Sequence, residues 1–438
     1  MQHFLSLWAN PALLSILLLC ILCVRKVNVL LAILFCTIFA GLFSGMGLKD
    51  VMDVFIAGMG DNSETALSYI LLGTFAATMS YSGFTQIISS KITKCVAGKR
   101  GLLLFILTLI AMSSQNIIPI HIAFIPILIP PLLSTMNALK IDRRAVACVL
   151  AFGLKMPYIV IPAGFGLIFQ NLITDNMVQN GLDIAKGQIW KSTLILGFGM
   201  LAGLLTAVLI SYRKPRSYND KAITCAAPES SNFTSKHCFV LLAIISTFIV
   251  QILTQSLPLG ALLGLGIMFS FGVISKDKMD HMMNEGIYLM GYIAFIMLVA
   301  AGFAAVLKKT GAIETFVNTL IPLLPSNIFL ISFIILLIGL FITIGIGTSF
   351  GTIPILAVLF IPICVHMGFN TRQITLLLAA AAALGDAGSP ASDTTLGPSA
   401  GLNADGQHDH IFDTCIPTFL HYNIALIIFA LLGIYVFA

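Results

Sequence analysis

Charged residues are scarce in this sequence of 438 residues. Asp, Glu, Lys and Arg make up only 9% of it, whereas hydrophobic residues make up 58%. An ordinary soluble protein has roughly 25% charged residues, so water cannot be the solvent for most of this surface. The net charge of +5 does not indicate a nucleic-acid partner, because the 23 Lys and Arg residues lie mainly in short loops between apolar runs, where they orient helices in a membrane.

The sequence also lacks a disulfide framework, a metal cluster and an aqueous domain. Cys20 and Cys23 lie in an apolar run without a nearby histidine, and Cys95 and Cys225 fall in predicted cytosolic loops. The longest stretch outside the apolar runs, Arg213–Lys236, has only 24 residues, and there is no phosphate-binding loop of the Walker type. These absences argue against an enzyme and against an ATP-driven pump, and we expect no cofactor.

Long apolar runs recur along the whole chain, and we count about fourteen of them. A run of about 20 residues is long enough to cross a hydrocarbon core of roughly 30 Å. The first run, Ala12–Val24, has no Lys or Arg before it and no cleavage pattern after it, so we expect a membrane helix and not a removed signal peptide. The sequence predicts an all-α polytopic protein of the bacterial inner membrane, with about 12 to 14 transmembrane segments in the lipid bilayer.

The second half of the sequence repeats the first half at an offset of 228 residues. The match includes prolines and glycines, which carry more weight than matching leucines. The coinciding pairs include Phe75 with Phe303, Ala76 with Ala304, Gly83 with Gly311, Pro126 with Pro354, and Pro162 with Pro390. We therefore predict two transmembrane repeats, residues 1–212 and 237–438, joined by a basic cytoplasmic linker at residues 213–236.

The basic residues indicate that the two repeats have opposite orientations. Loops of the first repeat carry two clusters, Lys91–Arg100 and Lys140–Arg144, whereas the equivalent segments of the second repeat keep only Arg372. Because positive loops stay in the cytoplasm, equivalent loops should lie on opposite sides, with both termini outside. Lys308 and Lys309 are exceptions, since they fall outside. Inverted repeats are typical of secondary transporters, which bind solutes near the bilayer midplane where helices are interrupted.

The clearest helix interruption is predicted in Gly385–Gly401, where 13 of 17 residues are Gly, Pro, Ser, Thr or Asp. Prolines and glycines at this density disfavour one regular helix. A carboxylate at membrane depth costs about 2.5 to 3.5 kcal/mol, which indicates a function for Asp386 and Asp393. With Ser389, Thr394 and free backbone carbonyls, these acids form a candidate site for Na⁺ or a transported proton. The alternative is that both acids only cap half-helices.

The equivalent segment of the first repeat, Leu154–Gly166, keeps the Pro and Gly interruptions but carries Lys155 and no acid. Eleven helical residues from Arg144 to Lys155 span about 16 Å, which places the lysine near the bilayer midplane. We expect Lys155 to pair with an aspartate of the second repeat, to contact a carboxylate of the solute, or to hold the charge of the site when the cation has left. The alternative is a lysine that extends to the interface or forms a static ion pair.

A second pair of polar segments, Met112–His121 and Thr343–Pro354, occupies roughly equivalent positions in the two repeats. Each lies between apolar flanks, which predicts helical hairpins or crossovers whose tips meet at the membrane centre. Ser and Thr also pack helices closely, and a single membrane histidine is often a packing residue, so structural roles are the alternative. The candidate binding residues in these segments are Ser113, Ser114, Gln115, Asn116, His121, Thr343, Thr348, Ser349 and Thr352.

His408, Asp409 and His410 are adjacent within the polar segment Asn403–Thr414. Adjacent residues seldom face one ion, so a metal site is not indicated. We predict a polar cytoplasmic connection, with ion or proton access as the alternative.

The segment Gly385–Phe419 resembles the terminal signature of the NhaC-type Na⁺/H⁺ antiporter family, in particular its YuiF-like branch. The core S-P-x-S-D, at residues 389–393, is the part shared with the wider family, and Ser113–Leu133 is also similar to that branch. The resemblance spans most of the chain. It implies membership of the ion-transporter superfamily, whose characterised members include elevator-type dimers with broken helices. The branch has been linked to uptake of amino acids, histidine in particular, whereas the family description implies Na⁺/H⁺ exchange.

We therefore expect a Na⁺- or H⁺-coupled secondary transporter of a small organic solute such as an amino acid, with a Na⁺/H⁺ antiporter as the alternative. Asp393 is predicted to be the principal coupling carboxylate, with a possible Na⁺ site there, and Asp386 its neighbour in the same broken helix. A homodimer is implied by the resemblance alone. A channel or a membrane scaffold is a third, less consistent class.

Overall fold

The computed structural model describes residues 10–25, 27–84, 87, 99–116, 125–185, 187–219, 234–254, 256–320, 327–346, 348–390 and 392–438. Within these ranges every regular element is helical, which confirms the predicted all-α polytopic class. The helices are α1 Pro11–Val24, α2 Val29–Phe43, α3 Leu48–Met59, α4 Ser63–Tyr81, α5 Arg100–Asn116, α6 Ile125–Leu128, α7 Leu133–Ala138, α8 Arg143–Val160, α9 Phe165–Gln179, α10 Ile189–Thr206, α11 Ser235–Thr254, α12 Leu257–Ser270, α13 Met279–Lys309, α14 Ala312–Leu320, α15 Ile328–Ile346, α16 Ser349–His366, α17 Thr371–Ala383, α18 Asp393–Leu402 and α19 Ile424–Val436.

Five helical segments among the described residues are long and apolar enough to cross a membrane, and the bent pair α8 and α9 adds a sixth span. One of the five runs from His410 to Val436 and joins π-helical turns to α19. Five shorter apolar helices, of 10–17 residues, occupy other apolar runs. The apolar runs of the sequence are thus partly built from short or interrupted helices.

The first group of helices is built around α13, the longest helix among the described residues, with α2, α3 and α4 packed along it. Gly58 of α3 lies against Ala305, and Gly73 of α4 lies against Gly286, so closely that a methyl group at either glycine would overlap its neighbour. These contacts show that α13 runs antiparallel to α3 and α4. Since the 228-residue offset makes α3–α4 and α13 equivalent, this is the packing expected of inverted repeats.

The second group contains the interrupted helices and surrounds α8, which packs on α5, α10 and α18. The chain breaks between α8 and α9, where the two helices meet at 47°. Pro157 lies inside α8, and Gly164 adopts a positive φ of 57° just before α9 begins. Proline weakens the preceding helical turn, and glycine enters the left-handed region without steric strain, so this sequence ends one helix and starts the next.

The second interruption separates α17 from α18 and spans residues 384–392. Helix α17 starts with a capping box between Asn370 and Gln373 and ends at Ala383, and the next residue, Leu384, is extended. Gly385 then has a φ of 82°, and a Cβ there would lie 2.6 Å from the carbonyl oxygen of Leu340. The break predicted in Gly385–Gly401 is therefore real but occupies only its first half, because Pro398 and the last glycines are accommodated within α18.

Basic residues gather at one end of the second group, which we call the basic end. The Arg100 guanidinium donates hydrogen bonds to the carbonyls of Tyr212 and Arg213, and the Arg216 amide donates to the carbonyl of Lys140. The start of the linker is thereby tied to the loop before α8. At the other end of the molecule, which we call the opposite end, the two ends of the described chain, Asn10 and Ala438, lie on the same side as the end of α13.

Candidate functional site

A buried ion pair joins the two interrupted helices. The Nζ atom of Lys155, in α8, lies 3.2 Å from Oδ2 of Asp386, in the break before α18. The side chains are 0% and 6% exposed, so both charges are removed from solvent. The partner expected for Lys155 in the second repeat is thus Asp386.

Three hydroxyl groups also donate to the Asp386 carboxylate. Oδ2 accepts from Ser349 at 2.6 Å and from Tyr158 at 3.0 Å, and Oδ1 accepts from Ser392. The Thr394 hydroxyl donates to the backbone carbonyl of Asp386 at 3.1 Å. Hydrogen bonds to an ionised acceptor are stronger than neutral ones, so these donors can replace the water contacts that a charged carboxylate loses on burial.

Two helix N-termini meet at the same carboxylate. Ser349 is the first residue of α16, and Ser392 is the N-cap of α18, where its hydroxyl oxygen accepts from the Thr394 amide. Helix N-termini carry partial positive charge, which adds to that of Lys155. The sequence folds this way locally because Ser is a preferred residue at helix starts, while the preceding Gly and Pro prevent a continuous helix.

The site joins equivalent positions of the two predicted repeats. Tyr158 and Asp386 are separated by 228 residues, which is the offset of the repeat, and they are hydrogen-bonded to each other. Equivalent residues of two inverted copies can touch only where the axis passes between them. The chemistry has diverged at this point, since one copy supplies a phenol and the other a carboxylate.

Asn116, at the end of α5, braces the first interruption. Its amide nitrogen donates to the carbonyls of Ala163 at 2.7 Å and Ile161 at 3.1 Å, which the break removes from helical pairing. Its side-chain oxygen is buried without a hydrogen-bond partner among the described residues, and so is Nζ of Lys155 apart from its contact with Asp386. Each of these groups retains capacity to bind a further polar group.

The hydroxyl groups of five other predicted residues donate to backbone carbonyls. The hydroxyls of Ser113 and Ser114 donate to carbonyls of their own helix, at 2.8 and 2.7 Å. Thr343 bonds the Ala381 carbonyl, Thr352 bonds the Ser349 carbonyl, and Ser389 bonds the Ile344 carbonyl, at 3.2, 2.9 and 2.9 Å. Only Thr343 and Ser389 link different segments, and the other three bond within their own helices.

The remaining predicted residues have no described contact to the ion pair. Thr348 precedes α16 and is partly exposed, and it makes no side-chain capping bond. Asp393 begins α18 and Gln115 lies near the end of α5, but their side chains lie outside the described part of the structure. His121 lies outside the described residues altogether. The ranking of Asp393 above Asp386 therefore stays a prediction.

Tyr158 and Ser392 are site residues that the sequence patterns did not indicate. Tyr158 lies in an apolar stretch, and its only signal is its equivalence to Asp386 under the repeat offset. Ser392 belongs to the S-P-x-S-D core but was not singled out. Asn423 was not indicated either, although it bridges the second interruption by accepting from the Gly385 amide at 3.0 Å and donating to the Ala387 carbonyl at 2.8 Å.

Aromatic rings pack around Tyr158. Its ring centroid lies 5.1 Å from that of Phe350 and 5.2 Å from that of Phe169. Tyr69 of α4 contacts Phe350 at 5.7 Å and Phe165 at 5.3 Å. Because α4 belongs to the first group of helices, these five rings form a contact between the two groups beside the ion pair, and we call them the aromatic cluster.

The polar segment after α18 forms a second set of ion pairs at the basic end. Arg143 forms a buried salt bridge to Asp405 at 2.6 Å. His408 contacts Thr414 and His410 contacts Ser399, at 2.6 and 2.7 Å. The two histidines have different partners, as expected for a polar connection.

Two sequence profiles match the chain. The profile of the Na⁺/H⁺ antiporter family matches residues 149–434, and a second one, described as Na⁺-H⁺ antiporter family, matches residues 10–96. The chain is 46% identical over 432 residues to the uncharacterized membrane protein VP2115 of Vibrio parahaemolyticus, covering 96% of this chain and 98% of that protein. It is 44% identical over 400 residues to the Bacillus subtilis protein named "Putative amino acid transporter YuiF", covering 88% and 90%.

Two solved membrane transporters share the fold. The Alcanivorax borkumensis YdaH transporter matches with a TM-score of 0.60 at 12% identity, covering 89% of each chain. MtrF of Neisseria gonorrhoeae, described among antimetabolite efflux pumps, matches with a TM-score of 0.57 at 14% identity, covering 90% of this chain and 85% of that one. At this identity the likeness concerns the fold alone.

Proposed function

Because this chain belongs to the Na⁺/H⁺ antiporter family and is a membrane transporter, we propose that it imports an amino acid, coupled to Na⁺ or H⁺, across a bacterial inner membrane. The observation that carries this proposal is the buried Lys155–Asp386 pair between the two interrupted helices. The name of the YuiF relative supports the class of solute.

The pair is complementary to a zwitterion. Lys155 can bind the carboxylate of an amino acid, and Asp386 can bind its ammonium group, so that one ion pair is replaced by two without a change in net charge. Nζ of Lys155 contacts only Asp386 among the described residues, which leaves donor capacity for a second acceptor. A buried ion pair adds little net stability, which is a further reason to expect a role in binding.

The cage around Asp386 also suits a coupling ion. Ser349, Ser392 and Thr394 place hydroxyl oxygens next to the carboxylate and the freed backbone. Oxygen ligands of this kind bind hard cations, and a proton on Asp386 would neutralise the same site. Asp393 at the start of α18 is the second candidate for the coupling carboxylate.

The second candidate function is Na⁺/H⁺ antiport, which the family membership favours. In that case Na⁺ would bind Asp386 as the Lys155 ammonium loses its proton, and reprotonation of Lys155 would release Na⁺ and restore the pair. This exchange leaves the aromatic cluster and the unpaired Asn116 oxygen without a role, so we rank it below solute transport.

Proteoliposomes with imposed gradients test the proposal. We expect saturable uptake of a labelled amino acid, with histidine tried first, that depends on a Na⁺ or pH gradient and is lost in Lys155→Gln. Thr206→Ala, an exposed residue that bonds only within α10, is the control and should retain uptake. Na⁺-dependent pH changes without uptake of any amino acid would instead establish the antiporter.

A further inference from the structure

A cavity of about 790 Å³ opens at the opposite end of the molecule, where the two groups of helices meet. Its walls come from α3 and α13 of the first group and from α9 and α16 of the second. Its polar lining residues are Asn62, Asn176, Gln179, Asn180, Lys308 and Lys309. The volume is within the range of small-molecule sites, which is about 300 to 1,000 Å³.

The charge of the described lining is positive. Lys308 and Lys309 end α13, and no acidic residue is among the described lining residues. Lys308 donates to the carbonyl of Gln179 at 2.8 Å, which holds its ammonium group at the wall of the cavity. The predicted orientation places both lysines outside, where the positive-inside rule disfavours them. A concave surface of one charge raises the local concentration of ligands with the opposite charge.

The same helices lead from this cavity toward the ion pair. In α9, Phe169 lies about two turns before the lining residue Asn176, and in α16, Phe350 lies about one turn before the lining residue Pro354. The centroids of the two phenylalanine rings are 5.8 Å apart.

Aromatic rings therefore separate the floor of the cavity from the site. Tyr69 covers Phe350 from the side of α4, with centroids 5.7 Å apart. Tyr158 also contacts Phe350, with centroids 5.1 Å apart, and donates its hydroxyl to Asp386. A solute in the cavity would have to pass this layer to reach Lys155.

We propose that the cavity is an outer binding site, in which Lys308 and Lys309 capture the carboxylate of the solute before it passes the aromatic cluster to Lys155. This proposal rests on the proposed function and restricts the class of solutes that the protein transports. The solutes admitted from the outside carry a carboxylate, as zwitterions or anions, whereas cationic solutes without a carboxylate are repelled.

The charge of the cavity can be measured without any transport. A cysteine at Ala304, a lining residue of α13, is labelled with anionic and cationic methanethiosulfonate reagents of similar size, with the parent protein as background. We expect faster labelling by the anionic reagent. Replacing both lysines by Gln should lower the ratio of the anionic to the cationic labelling rate about fivefold. This magnitude corresponds to the loss of two unit charges within about 10 Å of the labelled cysteine under partial screening.

The matched control replaces Lys49 and Lys191, two exposed lysines outside the described cavity lining, by Gln and should leave the ratio unchanged. Where the parent protein accumulates histidine, external histidine should slow labelling at Ala304→Cys. The Lys308→Gln/Lys309→Gln variant should raise the KM of uptake about fivefold with little change in maximal rate.

The possible failures can be told apart. A parent protein without amino acid uptake contradicts the proposed function, while the labelling ratio still reports whether the cavity attracts anions. An unchanged ratio together with an unchanged KM in the double lysine variant overturns the outer site and leaves Lys308 only as a cap of α9.

Discussion

Because Lys155 and Asp386 form a buried ion pair, single variants that remove one charge should lose more stability than the double variant that removes both. Asp386→Asn keeps the shape of the side chain and one oxygen acceptor, but it leaves the Lys155 ammonium buried without a counter-ion. Breaking one side of a buried ion pair costs about 3 to 5 kcal/mol. Lys155→Met leaves the carboxylate unpaired in the same way, although Ser349, Tyr158 and Ser392 still donate to it, so its cost should lie at the low end.

The double variant Lys155→Met/Asp386→Asn removes both charges. Its loss of stability should be smaller than the sum of the two single losses, because neither buried charge is left alone. Transport should behave differently, since each variant loses a contact to a charged group of the solute. A contact of about 1.5 to 3 kcal/mol corresponds to a loss of affinity of roughly 10- to 100-fold.

Thermal unfolding in detergent and uptake in proteoliposomes are measured on the same four proteins. We expect the double variant to regain most of the unfolding temperature lost in Asp386→Asn while remaining inactive in uptake. Additive losses of stability would show that the two charges do not interact in the folded protein. Wild-type accumulation in either single variant would show that the solute or ion binds elsewhere.

Four further predictions concern other parts of the molecule. Asp393→Asn should fold normally but lose cation-driven accumulation in proteoliposomes; unchanged ion dependence would leave Asp386 as the coupling acid. Asn116→Ala frees the carbonyls at the first interruption and should lower stability by about 1 to 3 kcal/mol in thermal unfolding, and an unchanged stability would contradict the bracing role. Burial opposes ionisation of Asp405, but the hydrogen bonds and charge of Arg143 outweigh it and lower the pKa of the carboxyl. Asp405→Asn should therefore lower the stability at pH 7, and the stability difference from wild type should shrink below about pH 4 as the carboxylate is protonated. A stability difference that persists in acid would refute the salt-bridge explanation. Single cysteines at Lys140 and Asn327 should be labelled by impermeant reagents from opposite sides of the membrane, and labelling from one side would contradict the inversion.

Several features of the fold were readable from the sequence because they depend on local composition. The scarcity of charge and the long apolar runs predict membrane helices. The 228-residue offset predicts two repeats, and the antiparallel packing of α3 and α4 against α13 is consistent with their inversion. Proline and glycine disfavour regular helix wherever they occur, so both interruptions were predictable. The extent of the second one was not, because packing of α18 tolerates Pro398 inside a helix.

Local composition determined which residue types the site contains, and tertiary structure determined which of them are in contact. The sequence by itself predicted that Lys155 and two acids lie at interrupted helices, and the apolar spacing predicts a depth near the membrane centre. It did not determine which acid meets the lysine, because Asp386 and Asp393 lie seven residues apart in a segment whose path is irregular. Only the packing of α8 against the second interruption places Asp386 beside Lys155. The same packing lets the Tyr158 hydroxyl, from an apolar stretch, donate to that carboxylate. Side-chain direction at a helix break depends on contacts between elements far apart in the chain, and no local pattern encodes it.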